Sequence, residues 1–141
     1  MASKVFLDAN FLLDLTLNRP GIKEASQVMR LGIDKIIQLF TTPAVLHVVS
    51  YFTSQALTRQ QTKKVILLLL NDVQIIDCDH ATALLAVNSS MDDVEDALQY
   101  YTALKFKLDY FISADKNLRK AAIPQVPVYT AAELLVAIEH N

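Results

Sequence analysis

The side chains with the most chemical potential in this chain are aspartates at the ends of apolar runs. Val5-Phe6-Leu7 is followed by Asp8, and Tyr110-Phe111-Ile112 by Ser113-Ala114-Asp115. A short apolar run with β-branched or aromatic residues reads as a core strand. An ionised carboxylate is not kept at full burial unless it is paired or binds a metal. Each acid therefore marks the point where a strand leaves its sheet, and parallel strands deliver such acids to one edge, where ligands bind in open sheets. Asp93 and Asp96, three apart at the start of a predicted helix, share a face and can be carried above that edge. Carboxylates gathered in this way repel one another, and a divalent cation supplies the missing counter-charge. Mg²⁺ prefers hard oxygen ligands and keeps several waters, so one or two direct carboxylates suffice. A carboxylate–Mg²⁺ site at the mouth of a sheet suits phosphodiester hydrolysis, with one ion or with two about 4 Å apart.

Each acid also has a plainer reading. Asp8 is placed to cap the helix that follows it, and Asp115 with Lys116 and Asn117 reads as a turn cap. The run Asp92-Asp93-Val94-Glu95-Asp96 suits the positive end of a helix macrodipole without any site. Taken alone, the spacing makes a metal-site candidate and does not identify a nuclease.

The elements that must position these acids can be read along the chain. A strand over 4–7 is followed by a helix with Phe11, Leu12 and Leu15 on one face, ended by the breakers Asn18-Arg19-Pro20-Gly21. A second helix carries Ala25, Val28, Met29 and Gly32, and a second strand covers 36–40. Thr42-Pro43 opens a third helix, expected to be deeply buried because it is apolar nearly all round. Thr58 and Gln61 form a capping box for the next helix. A third strand over 73–76, a helix capped by Asp79 and a helix capped by Asp92 follow. The fourth strand over 110–112 leads to a short helical turn, an edge strand at Val128-Tyr129, and a last helix boxed by Thr130 and Glu133. Strands separated by helices imply a parallel sheet with helices on both faces.

The bulk properties narrow the options. A length of 141 residues fits one continuous domain, 1–141, and 52% hydrophobic residues supply a sizeable core. Two glycines leave no room for a glycine-rich phosphate loop, and no dinucleotide or P-loop fingerprint is present. A net charge of −2 does not advertise nucleic-acid binding, although a local basic patch remains compatible with it. The single cysteine, Cys78, allows no internal disulfide and fits a reducing, cytoplasmic location. No run approaches the length of a membrane span, and no signal-peptide pattern opens the chain.

The motifs together resemble those of the PIN-domain family. Residues 5–14, VFLDANFLLD, resemble the opening strand–Asp–small–Asn motif; residues 93–100, DVEDALQY, resemble the central acidic motif of the bacterial branch; residues 110–115, YFISAD, are similar to the strand–Ser–x–Asp motif. Their order and separation match over essentially the whole chain. The resemblance implies a three-layer α/β/α sandwich around a parallel sheet of about five strands. It implies a Mg²⁺- or Mn²⁺-dependent endoribonuclease, the toxin of a VapBC-type pair, with RNA as substrate, an antitoxin protein as partner and a homodimeric state. That last point is also suggested by the apolar first helices. Asp8, Asp96 and Asp115 carry over as the core metal-binding and catalytic acids, with Asp93 as a further acid. Asn10 and Ser113 match supporting polar positions that orient acids.

The sequence departs from that pattern in one place. Many members carry an acid on the helix after the second strand, where this chain has His47. A buried structural histidine is the plainer expectation, and a Mn²⁺ ligand is the sharper one. Lys116 and Arg119, with Lys105, Lys107 and Lys120, are candidates for phosphate contact, and Tyr100 and Tyr101 for base stacking, with at least one of the pair in the core. Two other classes remain open. One is a PIN-like RNA- or protein-binding module without cleavage. The other is a carboxylate–Mg²⁺ phosphatase, disfavoured because position 10 is Asn where an aspartyl-phosphate enzyme needs its second acid.

Overall fold

The computed structural model describes residues 1–140. Five strands, β1 (Ser3–Leu7), β2 (Ile37–Thr41), β3 (Val73–Ile75), β4 (Tyr110–Ile112) and β5 (Val128–Tyr129), form one parallel sheet in the order β3-β2-β1-β4-β5. The helices are α1 (Ala9–Thr16), α2 (Ile22–Ile33), α3 (Pro43–Ala56), α4 (Arg59–Leu70), α5 (His80–Asn88), α6 (Val94–Lys105), α7 (Lys116–Ala121) and α8 (Ala131–Glu139). This is the α/β architecture expected, a five-stranded parallel sheet flanked by helices.

Val5, Phe6 and Leu7 are fully buried, as a central parallel strand covered on both faces must be. Phe6 stacks on Phe111 across β1 and β4, ring centres 4.5 Å apart. Gly32 of α2 lies so close to Leu39 of β2 that a Cβ there would collide with the leucine side chain. The strand order has one decisive consequence. The chain builds outward from β1 through β2 to β3, then returns to the other side of β1 with β4 and β5. The sheet's switch point therefore lies between β1 and β4, where a crevice opens at the carboxyl ends of the strands.

Three expectations are corrected. The third helix is not buried all round: Val45, Val49 and Thr53 are buried, whereas Tyr51 and Phe52 are exposed. Its buried stripe faces α1, where the Thr16 and Thr53 hydroxyls meet at 2.9 Å, and apolar composition alone does not set how many faces find a partner. The cap of α6 is Asp93, one residue later than Asp92, because the Asp93 carboxylate receives the Asp96 N–H at 2.9 Å. The second strand begins at Ile37, since Ile36 is half-exposed and follows the left-handed residue Lys35. No described helix is long and apolar enough to cross a membrane.

Candidate active site

Asp8 and Ser113 are the residues that follow the paired ends Leu7 and Ile112 of β1 and β4, so they flank the switch-point crevice. The Leu7 carbonyl beneath Asp8 accepts the buried Thr41 hydroxyl at 2.8 Å, which fixes where β1 stops. Asp8 caps α1 by accepting the Phe11 N–H at 2.8 Å. The Ser113 hydroxyl donates to the Asp8 carboxylate and accepts the Asp115 N–H at 3.1 Å. Ser113 thus ties the acid after β1 to the acid after β4. Asp115 caps α7, accepting from Asn117 and Leu118 at 2.8 and 3.2 Å.

α6 brings Asp96 to the same place. The helix is anchored from below by Tyr100, whose buried hydroxyl donates to the Val126 carbonyl at 2.7 Å and accepts the Ile123 N–H at 2.8 Å. One residue earlier, buried Gln99 receives the hydroxyl of Thr42, the cap of α3. Asp96 follows at the open end of this face and lines, with Met91, Asp92, Asp93, Asp115 and Lys120, a cleft of about 460 Å³. Asp8 is partly buried and is not among the residues lining this cleft.

The electrostatics record this convergence. The Asp8 carboxyl is pushed up to about 6, chiefly by burial, and the charges of Asp96 and Asp14 add to the rise against the lowering effect of its Phe11 and Ser113 hydrogen bonds. The Asp96 carboxyl is likewise pushed up to about 6 by burial, then by repulsion from Asp93, Asp115 and Glu95. Asp8, Asp93 and Asp115 all cap helices, so for these three the structural duty weighed against chemistry is also present. Asp96 caps nothing, and its carboxylate accepts no hydrogen bond among the described residues.

The donor set is all carboxylate oxygen, the chemistry of a hard divalent cation. Among the described residues, no three His, Cys, Asp or Glu side chains approach one another closely enough to enclose one ion. Mg²⁺ needs only one or two direct carboxylates, with water completing the octahedron, so Asp96 with a neighbouring acid fits such an ion.

Other expected residues fall elsewhere. His47 is exposed and lines an α3–α4 groove with Leu46, Thr62 and Leu67, away from the acids; it is neither the buried histidine expected nor gathered with the carboxylates. Asn10 is exposed, and its side-chain oxygen accepts from Arg19 at 3.3 Å, so the acid it serves is not Asp8. Arg19 in turn pairs with Asp14 at 2.9 Å. Arg119 is held by Glu133 and by the Val128 carbonyl, and Lys116 does not line the cleft. Lys105 is paired with Asp79, and Lys107 sits at the opposite edge of the sheet beside Lys4 and Asp109. Tyr100 is core and unavailable to a base. Sequence reasoning did not find the tie between Gln99 and Thr42, nor the Arg19–Asp14 pair. The signal for Gln99 was a polar residue three after Asp96 on the same helix face.

With this geometry in place, comparison with known proteins becomes informative. The PIN domain pattern matches residues 4–117, and the chain belongs to the PIN-domain family. No curated protein matches it. Among solved structures, a toxin–antitoxin complex from Klebsiella pneumoniae contains a chain that is 23% identical, with a TM-score of 0.67, covering 90% of this chain and 97% of that one. VapC20 from Mycobacterium tuberculosis, described as a Sarcin-Ricin loop cleaving toxin, is 15% identical with a TM-score of 0.65, covering 85% and 97%. VapBC2 from Rickettsia felis, bound to a fragment of promoter DNA, is 14% identical with a TM-score of 0.66, covering 90% and 98%. At these identities the likeness is one of fold.

Proposed function

We propose that this protein is a Mg²⁺- or Mn²⁺-dependent endoribonuclease and the toxin of a toxin–antitoxin pair. The observation that carries the reading is the gathering of Asp93, Asp96 and Asp115 on one cleft, with Asp8 near enough that the Asp96 charge raises its carboxyl. Helix capping accounts for Asp8, Asp93 and Asp115, but it gives no reason to keep an unpaired Asp96 beside them. PIN-family membership and the shared fold with VapC20 support the same conclusion.

Asp96 is proposed to hold the ion directly with one neighbouring acid, Asp8 and Asp115 contributing directly or through the ion's waters, and Asp93 as an outer acid. A bound divalent cation supplies an acidified water and offsets charge developing on the phosphate oxygens. The chain's own part is positioning. Ser113 holds the Asp8 carboxylate and the Asp115 backbone in a fixed relation, and the Gln99–Thr42 contact fixes the height of Asp96 above the sheet edge. Below pH 6 the Asp8 and Asp96 oxygens hold protons, so acid competes with the cation for the site.

Partners belong to the proposal as well. Phe11, Leu12 and Leu13 of α1 are buried in the core. Exposed apolar side chains instead gather on α4, at Leu67 and Leu68, and on α5, at Leu84, Leu85 and Val87. Surfaces of this kind mark protein contacts, and an antitoxin and a second copy of the chain are the partners proposed to cover them.

The test is cleavage of single-stranded and structured RNA by the purified protein with Mg²⁺ or Mn²⁺, beside Asp8→Asn and Asp96→Asn. Metal-dependent cleavage lost in both variants is expected. Cleavage that survives both sinks the reading. A second reading, a PIN-like module that binds RNA or protein without cutting, is favoured by the missing acid on α3. It predicts no cleavage and no stabilisation by either cation.

A further inference from the structure

Five cations follow the two later acidic motifs, and their surroundings separate them. Lys105 is paired with Asp79 on α5. Arg119 is held by Glu133 and the Val128 carbonyl. Lys107 lies at the opposite edge of the sheet. On α7, Asn117, Leu118, Lys120 and Ala121 line the acid cleft, whereas Lys116 and Arg119 do not. The helical repeat accounts for this division, since residues three apart share a face. Leu118 is buried and fixes which face of α7 turns inward. Lys120 is therefore the cation on the cleft wall, and it forms no ion pair among the described residues.

A polyanion entering a cleft walled by Asp92, Asp93, Asp96 and Asp115 meets repulsion that a bound cation offsets only where it sits. A flexible ammonium on the facing wall can take a backbone phosphate away from the reacting bond, as a point charge without base preference. We propose that Lys120 is the phosphate-binding residue of this cleft, contacting the RNA strand beside the bond that is cut. The inference rests on the ribonuclease reading above and names the residue that seats its substrate.

Steady-state cleavage of a short single-stranded RNA with Mn²⁺ tests it. Lys120→Ala is expected to raise KM five- to tenfold with kcat within twofold, the pattern of lost uniform binding. The dependence of log(kcat/KM) on log salt is expected to flatten by about one unit, and Lys120→Arg to restore KM. Lys64→Ala on remote α4 serves as the charge control and is expected to stay within twofold of wild type. Wild-type cleavage with an unchanged KM and salt slope in Lys120→Ala overturns this inference and leaves the ribonuclease reading standing. An equal rise in KM for Lys116→Ala, showing a diffuse charge effect, also overturns it. No cleavage by the wild-type protein overturns the underlying reading and this inference with it. Lys120 is exposed on a surface helix, and circular dichroism of the variant separates a binding loss from a folding loss.

Discussion

α3 and α6 meet where Thr42, the cap of α3, donates to Gln99 in the second turn of α6, yet their first turns are built differently. α3 opens with Thr42, whose hydroxyl accepts the Val45 N–H at 3.2 Å and donates to buried Gln99, and it has no acid in its first turn. α6 opens with Asp93 and carries Glu95 and Asp96 in its first turn. The Thr42 hydroxyl at the start of α3 is employed in holding the fold, once as a cap and once as a donor to Gln99. At the start of α6, Asp96 is left with an unpaired carboxylate, raised by burial and by the acids around it. The difference teaches that α6 gives up some electrostatic stability in keeping a charge where it can act, and that α3 is the frame that holds it there.

The largest way to break this contrast is to neutralise the α6 acid. Asp96→Asn should lower RNA cleavage by roughly 10²–10³-fold, the scale of losing a preorganised electrostatic group, while urea unfolding at pH 7.5 shows equal or higher stability. Breaking the frame instead should read out in folding. Thr42→Val removes a cap and leaves the Gln99 oxygen unpaired in the interior, at a cost of about 2 kcal/mol, measured by the urea midpoint.

A smaller and more diagnostic effect is the pH dependence of the metal-free protein. Asp8 and Asp96 have folded values raised to about 6 from an ordinary 3.8. Between those values the folded state binds more protons than the unfolded chain, so their contribution makes stability fall as pH rises from about 4 to above 6. With allowance for solvent screening, the loss should be on the order of 1–2 kcal/mol, and smaller in Asp96→Asn. Asp79 and Glu133 have lowered values and act in the opposite sense, losing stability as pH falls through their folded values. The smallest expected effect is at His47. His47→Ala should leave cleavage and Mn²⁺ stabilisation within twofold of wild type, checked by rate assay and thermal shift, because the imidazole faces the α3–α4 groove.

Much of this was legible in the chain itself. Val5–Leu7 and Tyr110–Ile112 read as core strands because both faces of a central parallel strand are apolar, and the acids after them marked the sheet edge. Thr58 with Gln61 and Thr130 with Glu133 read as capping boxes and are so in three dimensions. Long-range partners were not legible. Nothing near Arg119 in sequence points to Glu133, and nothing near Lys105 points to Asp79, so Lys120 stood out as the cation on the cleft wall only once packing and the facing of α7 were known. The exposure of His47 and Phe52 depends on which faces of α3 meet α1 and α4, which an apolar helix does not encode. The run of acids pointed to Asp92 as the cap of α6, and the geometry of one N–H moved it to Asp93.

The most direct measurement of the central claim is calorimetric titration of Mn²⁺ into the metal-free protein and into Asp96→Asn, at pH 7.5 and pH 5.5. Binding by the wild-type protein at pH 7.5, weaker at pH 5.5 and lost in the folded variant at both, is the predicted result. Equal Mn²⁺ binding by the two proteins would contradict the assignment of Asp96 to a cation-binding catalytic centre.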